Sequence, residues 1–82
     1  MISIKLKLFA AYQDALGCPE MSMMLPEGTT VEELCDRICH QHPELKQWQG
    51  LTRFGINLQF VDGDTSLSDG DEVVFIPPVS GG

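Results

Sequence analysis

Residues 30–43 read Thr30-Val31-Glu32-Glu33-Leu34-Cys35-Asp36-Arg37-Ile38-Cys39-His40-Gln41-His42-Pro43. A threonine followed three residues later by glutamate is a capping box, with Thr30 as N-cap and Glu33 reaching back to it. Val31, Leu34, Cys35, Ile38 and Cys39 recur at i, i+3, i+4, i+7 and i+8. That spacing predicts an amphipathic helix of about three turns with one apolar stripe. Glu32, Glu33 and Asp36 put negative charge on the positive end of the helix dipole, and Pro43 ends the pattern. A helix of this kind is stable only against a second apolar face.

Residues 2–9 supply that face. Ile2-Ser3-Ile4-Lys5-Leu6-Lys7-Leu8-Phe9 alternates strictly, the period of a half-buried strand. Ile4, Leu6 and Leu8 share the side that the helix needs. Ser3, Lys5, Lys7 and Phe9 share the other side. Residues 10–16 favour a short helix stopped by Gly17. Residues 20–25 read as a second strand on length and flanks, although Met21, Met23, Met24 and Leu25 are good helix formers. Residues 26–28 form a turn. Residues 45–51 are a loop or a helical turn. Residues 54–57 and 59–61 read as two short strands around a tight connection. Turn chemistry recurs at Asp62-Gly63-Asp64 and at Ser68-Asp69-Gly70-Asp71, and residues 72–76 form a last strand. The expected fold class is α+β, a mixed sheet of about five strands with one main helix packed across it. This order of elements is the β-grasp, or ubiquitin-like, arrangement. The expected division is a domain over residues 1–76 and an extended tail over residues 77–82.

Composition narrows the functional classes. With 82 residues and 43% apolar content there is room for one domain and one modest core. Twelve acidic residues against five basic ones give a net charge of −7. Such a surface repels phosphate backbones, so nucleic acid is not an expected partner, while a basic protein face would be attracted. Three cysteines, at positions 18, 35 and 39, match neither a disulfide framework nor a zinc signature and fit a reducing compartment. Lys5, Lys7 and Asp14 break the apolar run of residues 1–16, which therefore does not read as a signal peptide, and no membrane span is expected. A cytoplasmic location follows as an expectation.

The end of the chain carries the chemistry. Pro77 and Pro78 have no amide donors and bias the backbone to extended geometry, so the chain should leave the sheet as a stiff arm. Residues 79–82 can reach roughly 13 Å at ~3.3 Å per residue. Gly81 and Gly82 have no side chains, so a terminal carboxylate there could pass through a narrow channel into another protein. A carboxylate is inert until activated. Adenylation by ATP makes it a mixed anhydride, and sulfur can then displace AMP to leave a thiocarboxylate. No catalytic side chain of this chain is needed for those steps.

The stretch Asp69-Gly70-Asp71-Glu72-Val73-Val74-Phe75-Ile76-Pro77-Pro78-Val79-Ser80-Gly81-Gly82 resembles the C-terminal signature of the small subunit of molybdopterin synthase, a sulfur carrier of the MoaD/ThiS type. Residues 56–61, 64–67, 25–34 and 4–10 resemble, in order, other parts of that family. The resemblance implies a β-grasp fold and activation of Gly82 by an E1-like adenylyltransferase that uses ATP. It implies a sulfur donor such as a cysteine desulfurase or a rhodanese, and a thiocarboxylate at Gly82. No permanently bound cofactor is implied. The tail, including Pro78, Val79, Ser80 and Gly81, would enter the large subunit of a heterotetramer. There, sulfur from two carriers converts cyclic pyranopterin monophosphate to molybdopterin. The chain itself would be a non-catalytic, sulfur-donating subunit without an autonomous active site. The family's apolar docking patch corresponds here to Phe9, Phe60 and Ile76. The alternation phase independently turns Phe9 away from the core, and Ile76 too if Val73 and Phe75 point inward.

Alternatives within reach of the same tail are sulfur delivery to thiamine, tRNA thiolation or cysteine synthesis, and a ubiquitin-like modifier whose Gly82 forms isopeptide bonds. Cys35 and Cys39, with His40 and His42 nearby, could suggest a metal site. Both thiols lie in the apolar stripe, however, and read as core. Cys18 follows Gly17 in a turn with no activating neighbour. Asp62, Asp64, Asp69 and Asp71 do not match a calcium loop and read as turn residues. Trp48 fits either an interface anchor or the edge of the core.

Overall fold

The computed structural model describes residues 1–78. Its strands are β1 (Ile2–Leu8), β2 (Glu20–Leu25), β3 (Arg53–Ile56), β4 (Gln59–Val61) and β5 (Glu72–Ile76). Its helices are α1 (Ala10–Leu16), α2 (Val31–Gln41) and α3 (Lys46–Gln49), with a 3-10 turn at Pro43–Leu45 leading into α3. The five strands form one sheet in the order β2-β1-β5-β3-β4. β1 and β5 run parallel at its centre, and the other neighbours are antiparallel. This is the mixed β-grasp sheet expected from the sequence.

The alternation in β1 is realised residue by residue. Ile2, Ile4, Leu6 and Leu8 are buried, and Ser3 and Lys5 are exposed. They meet Val31, Leu34, Cys35, Ile38 and Cys39 of α2 in a single core that also takes Val73 and Phe75 from β5. Val73 and Phe75 are fully buried, which stabilises the fold by roughly 1.5–3 kcal/mol for each. The Met-rich β2 is an edge strand. Met21 and Met23 pack against the core opposite Leu6 and Ile4, while Met24 points outward.

The first amides of α2 each find an acceptor. Glu33 N donates to Thr30 Oγ1 at 3.2 Å, and Thr30 N donates to Glu33 Oε1 at 2.9 Å, so the capping box is complete. The two preceding amides are satisfied from the loop after β4: Val31 N donates to Thr65 O and Glu32 N to Gly63 O. Gly63 passes close to α2 there: a Cβ at this position would sit 3.0 Å from Glu32 Cβ, a tight contact.

Two boundaries differ from the sequence reading. β3 covers Arg53–Ile56, one residue earlier than expected, because Asn57 and Leu58 both take positive φ (50° and 72°) to form the hairpin to β4. Of the two readings for 45–51 the helical turn is the one realised, as α3 through Gln49, and Pro43 opens the 3-10 turn after α2 has already ended at Gln41. Asp69 and Asp71 are structural. Asp69 Oδ1 accepts from Ser3 N at 2.7 Å, and Asp71 accepts from Ser68 N and Asn57 Nδ2. Among the described residues no helix is long and apolar enough to cross a membrane.

Candidate functional site at the root of the tail

β1 and β5 run parallel, with Leu8 opposite Phe75. The residues that follow therefore lie side by side, Phe9 just past the end of β1 and Ile76 as the last residue of β5, still paired with Arg53. Phe9 is extended and caps α1 without a side-chain hydrogen bond, and its carbonyl accepts from Tyr12 N. Ala10 turns the chain into the helix with φ 49°. Phe9 is 47% exposed and Ile76 half-buried, so both present carbon surface to solvent.

Around them lies an apolar groove of about 680 Å³, walled by Phe9, Ala10, Ala11, Trp48, Ile76, Pro77 and Pro78. Pro77 is buried and Pro78 exposed. The last described residues, Pro77 and Pro78, thus form part of the groove's wall. Tyr12 underlies it, fully buried, with its ring edge-on to Phe75 at 5.4 Å. The Tyr12 hydroxyl meets Thr52 Oγ1 at 2.6 Å, and Thr52 Oγ1 donates to Trp48 O at 2.8 Å. Burial and the neighbouring Cys35 thiol hold the Tyr12 hydroxyl protonated, well above the usual phenol range.

The residues singled out by sequence fall in three places. Phe9, Ile76 and Pro78 share the groove. Phe60 is 71% exposed and stands apart, on the edge strand β4. It faces the same side of the sheet through the row Phe60–Gly55–Val74, which spans two strand spacings, about 10 Å. Gly55 leaves a gap in that row. Val79, Ser80, Gly81 and Gly82 lie outside the described residues. Trp48, Ala10 and Ala11 were not singled out as groove residues. Ala10 and Ala11 carry no sequence signal, and Trp48 offered only its size.

The thiols are placed as core. Cys35 and Cys39 are buried with their sulfurs 4.0 Å apart, and burial pushes the Cys35 thiol up to about 12, which makes it unreactive. Cys18 is half-buried. Among the described residues no three His, Cys, Asp or Glu side chains come together as metal ligands. One ion pair, Lys7 Nζ to Glu72 Oε1 at 2.9 Å, lies on the same outer sheet face as Phe9 and Ile76.

Comparison with known proteins adds four likenesses. The model of the ThiS family matches residues 6–82. A Chlamydomonas reinhardtii protein named molybdopterin synthase sulfur carrier subunit is 35% identical, over 99% of this chain and 100% of its own. A solved Pyrococcus furiosus structure, assigned as subunit 1 of molybdopterin converting factor, is 30% identical with a TM-score of 0.80, covering 96% of this chain and 100% of that one. The crystal structure of SAMP1 from Haloferax volcanii, a small archaeal modifier protein, is 26% identical with a TM-score of 0.78, covering 98% and 99%.

Proposed function

The chain belongs to the ThiS family, and on that premise we propose that it is the sulfur-carrier subunit of a molybdopterin synthase, with the Gly82 carboxyl carbon as the atom that takes and gives up sulfur. The observation that carries the proposal is the family match running to Gly82. It is joined to the placement of Pro77 and Pro78, which lead toward Gly82 and line an apolar groove.

The chemistry runs through partners. The Gly82 carboxylate attacks the α-phosphorus of ATP in an E1-like adenylyltransferase and pyrophosphate leaves. A sulfur nucleophile adds to the acyl carbon and expels AMP. With hydrosulfide the product is the thiocarboxylate directly. With the persulfide of a desulfurase or rhodanese, a reducing thiol releases it. In the large subunit the thiocarboxylate sulfur attacks an electrophilic side-chain carbon of the pterin precursor, and the oxygen substituent on that carbon leaves. Hydrolysis of the acyl–sulfur bond then leaves sulfur on the pterin and returns the carboxylate. A dithiolene holds two sulfurs, so two thiocarboxylates are used per product and both carriers are returned as carboxylates.

This division of labour suits a chain whose Cys35 thiol is buried and held protonated. Phe9, Ile76 and Phe60 act as docking contacts, and the acidic surface draws the carrier to basic partner faces.

The test is intact mass after incubation with the adenylyltransferase, ATP and a sulfide source. The exchange of one oxygen for sulfur is expected, followed by dithiolene formation when the large subunit and cyclic pyranopterin monophosphate are added. Deletion of Gly82 abolishes both and leaves thermal unfolding nearly unchanged. An unmodified mass, or full activity after the deletion, overturns the proposal. The likeness to SAMP1 favours one second reading, a protein modifier. Conjugates to lysine on a blot, without dithiolene formation, would select it.

A further inference from the structure

We infer that Trp48 is a specificity-determining docking residue, and that the groove it walls receives an apolar side chain projected by the large subunit beside the channel that takes the tail. This inference rests on the proposed sulfur-carrier function and names a contact that the family resemblance did not supply.

Three observations carry it. The first is reach. Only residues 79–82 separate Pro78 from the reacting carbon, and four residues span at most roughly 13 Å. A protein that draws Gly82 into its own active site must therefore bring its surface down onto Pro77, Pro78 and the walls around them. The groove is covered whenever the tail is in use.

The second is composition. Phe9, Ala10, Ala11, Trp48, Ile76 and the two prolines offer carbon surface around about 680 Å³. That volume accommodates an aromatic or branched aliphatic side chain, and it offers no charged side chain of its own to pair with a polar one. A central pocket lined by aromatic residues is where binding energy concentrates in an interface.

The third is that Trp48 is held in place. It lies on a helix of four residues, α3, too short to be rigid alone. Its carbonyl accepts from Thr52 Oγ1 at 2.8 Å and from Leu51 N at 3.0 Å. Thr52 Oγ1 spends its one proton on Trp48, so the Tyr12 hydroxyl is the donor in the 2.6 Å contact with Thr52. This chain ties α3 to α1, the element that forms the opposite wall through Ala10 and Ala11. Tyr12 and Thr52 are positioning residues for the groove.

The chain contains one tryptophan, which gives a direct probe. The carrier is labelled with 5-fluorotryptophan and titrated with unlabelled large subunit, with ¹⁹F NMR and calorimetry read together. The expected result is a shifted fluorine resonance on binding, at least a tenfold weaker Kd for Trp48→Ala, and partial recovery for Trp48→Phe. Thr52→Val leaves the indole in place but loosens its mount. It should broaden the fluorine signal of the free protein and weaken binding less than Trp48→Ala does. If the large subunit binds the wild-type carrier while the fluorine resonance stays put and Trp48→Ala binds equally well, the inference falls and the functional reading stands. If the wild-type carrier does not bind the large subunit at all, both fall.

Discussion

The Tyr12 hydroxyl lies 2.6 Å from Thr52 Oγ1 and 3.6 Å from Cys35 Sγ, joining α1, α2 and the approach to β3 at one buried point. Tyr12 is fully buried, so this hydroxyl has no water to fall back on. Tyr12→Phe keeps the ring contact with Phe75 and removes the donor, leaving Thr52 Oγ1 short of a partner. The expected cost is about 1–2 kcal/mol in urea unfolding. A red shift of Trp48 emission should accompany it as the Trp48 wall loosens. Unchanged stability together with unchanged emission would show that the contact carries neither packing nor position.

Leu58 marks a place where the local backbone conflicts with its residue. It occupies the second central position of the β3–β4 hairpin at φ 72° and is 93% exposed. A left-handed conformation costs a residue with a side chain about 1–2 kcal/mol, and glycine avoids that cost while losing roughly 0.5–1 kcal/mol through its freer unfolded chain. No packing is lost on removing so exposed a side chain. Leu58→Gly should therefore raise stability, by up to about 1.5 kcal/mol, with the fold unchanged by circular dichroism. A fall in stability would mean that Leu58 makes contacts that its exposure does not suggest.

That hairpin also shows where sequence reasoning stops. The β1 alternation and the capping box at Thr30 and Glu33 were readable because each is set by contacts within a few residues. The tight connection between β3 and β4 was readable too, but its central pair Asn57-Leu58 was not, since leucine at a position that favours glycine gives no turn signal. Trp48 was ambiguous because it is both things at once: it packs on the core and lines the groove. The groove unites residues 9–11, 48 and 76–78, and their meeting depends on the parallel β1–β5 pairing and on a hydrogen bond forty residues apart in sequence. Local patterns do not encode such a meeting. Phe60 shows the opposite limit: it does face outward, but across a gap at Gly55 rather than in the groove itself.

The Lys7–Glu72 pair gives a pH signature. The hydrogen bond and charge of Glu72 hold the Lys7 ammonium above its ordinary 10.5, and Lys7 likewise holds Glu72 below its ordinary 4.5. The lowered Glu72 contributes stability that is present above the unfolded carboxylate range and is lost as pH falls through its folded value, below 4.5. The Lys7 contribution is present below 10.5 and disappears only as pH rises past its raised value. Both groups are solvent-accessible, so the effect is small and screened by salt. The Tm gap between wild type and Glu72→Gln should be visible at neutral pH and low salt and should close in acid. A gap that stays constant down to pH values well under the carboxylate range would assign the effect to packing.

The three cysteines should separate by reactivity. Cys35 and Cys39 are buried, and burial raises the Cys35 thiol to about 12, so little thiolate exists at neutral pH. Cys18 is half-buried near a turn. Iodoacetamide on the native protein should label Cys18 alone, and denaturant should expose the other two. Native labelling of Cys35 or Cys39 at a rate near that of Cys18 would show that α2 opens locally far more often than its packed, capped structure implies.

Phe9 separates docking from folding. It sits at the junction of β1 and α1 with its ring 47% exposed, so the part that is buried contributes at most about 1.5 kcal/mol to stability. Phe9→Lys keeps the extended backbone, which needs no side-chain cap there, and places a cation on the groove wall beside Ile76 and Pro77. An apolar partner group entering the groove would then meet a charge that must be desolvated, a repulsive element rather than a mere loss of contact. Binding to the large subunit should fall by tenfold or more while unfolding shifts by no more than that 1.5 kcal/mol ceiling. Calorimetric binding and urea unfolding of the same sample decide the matter, because a docking residue moves the first and a core residue moves the second. A drop of more than about 2 kcal/mol in unfolding with Kd unchanged would place Phe9 in the core and leave the groove without its outer wall.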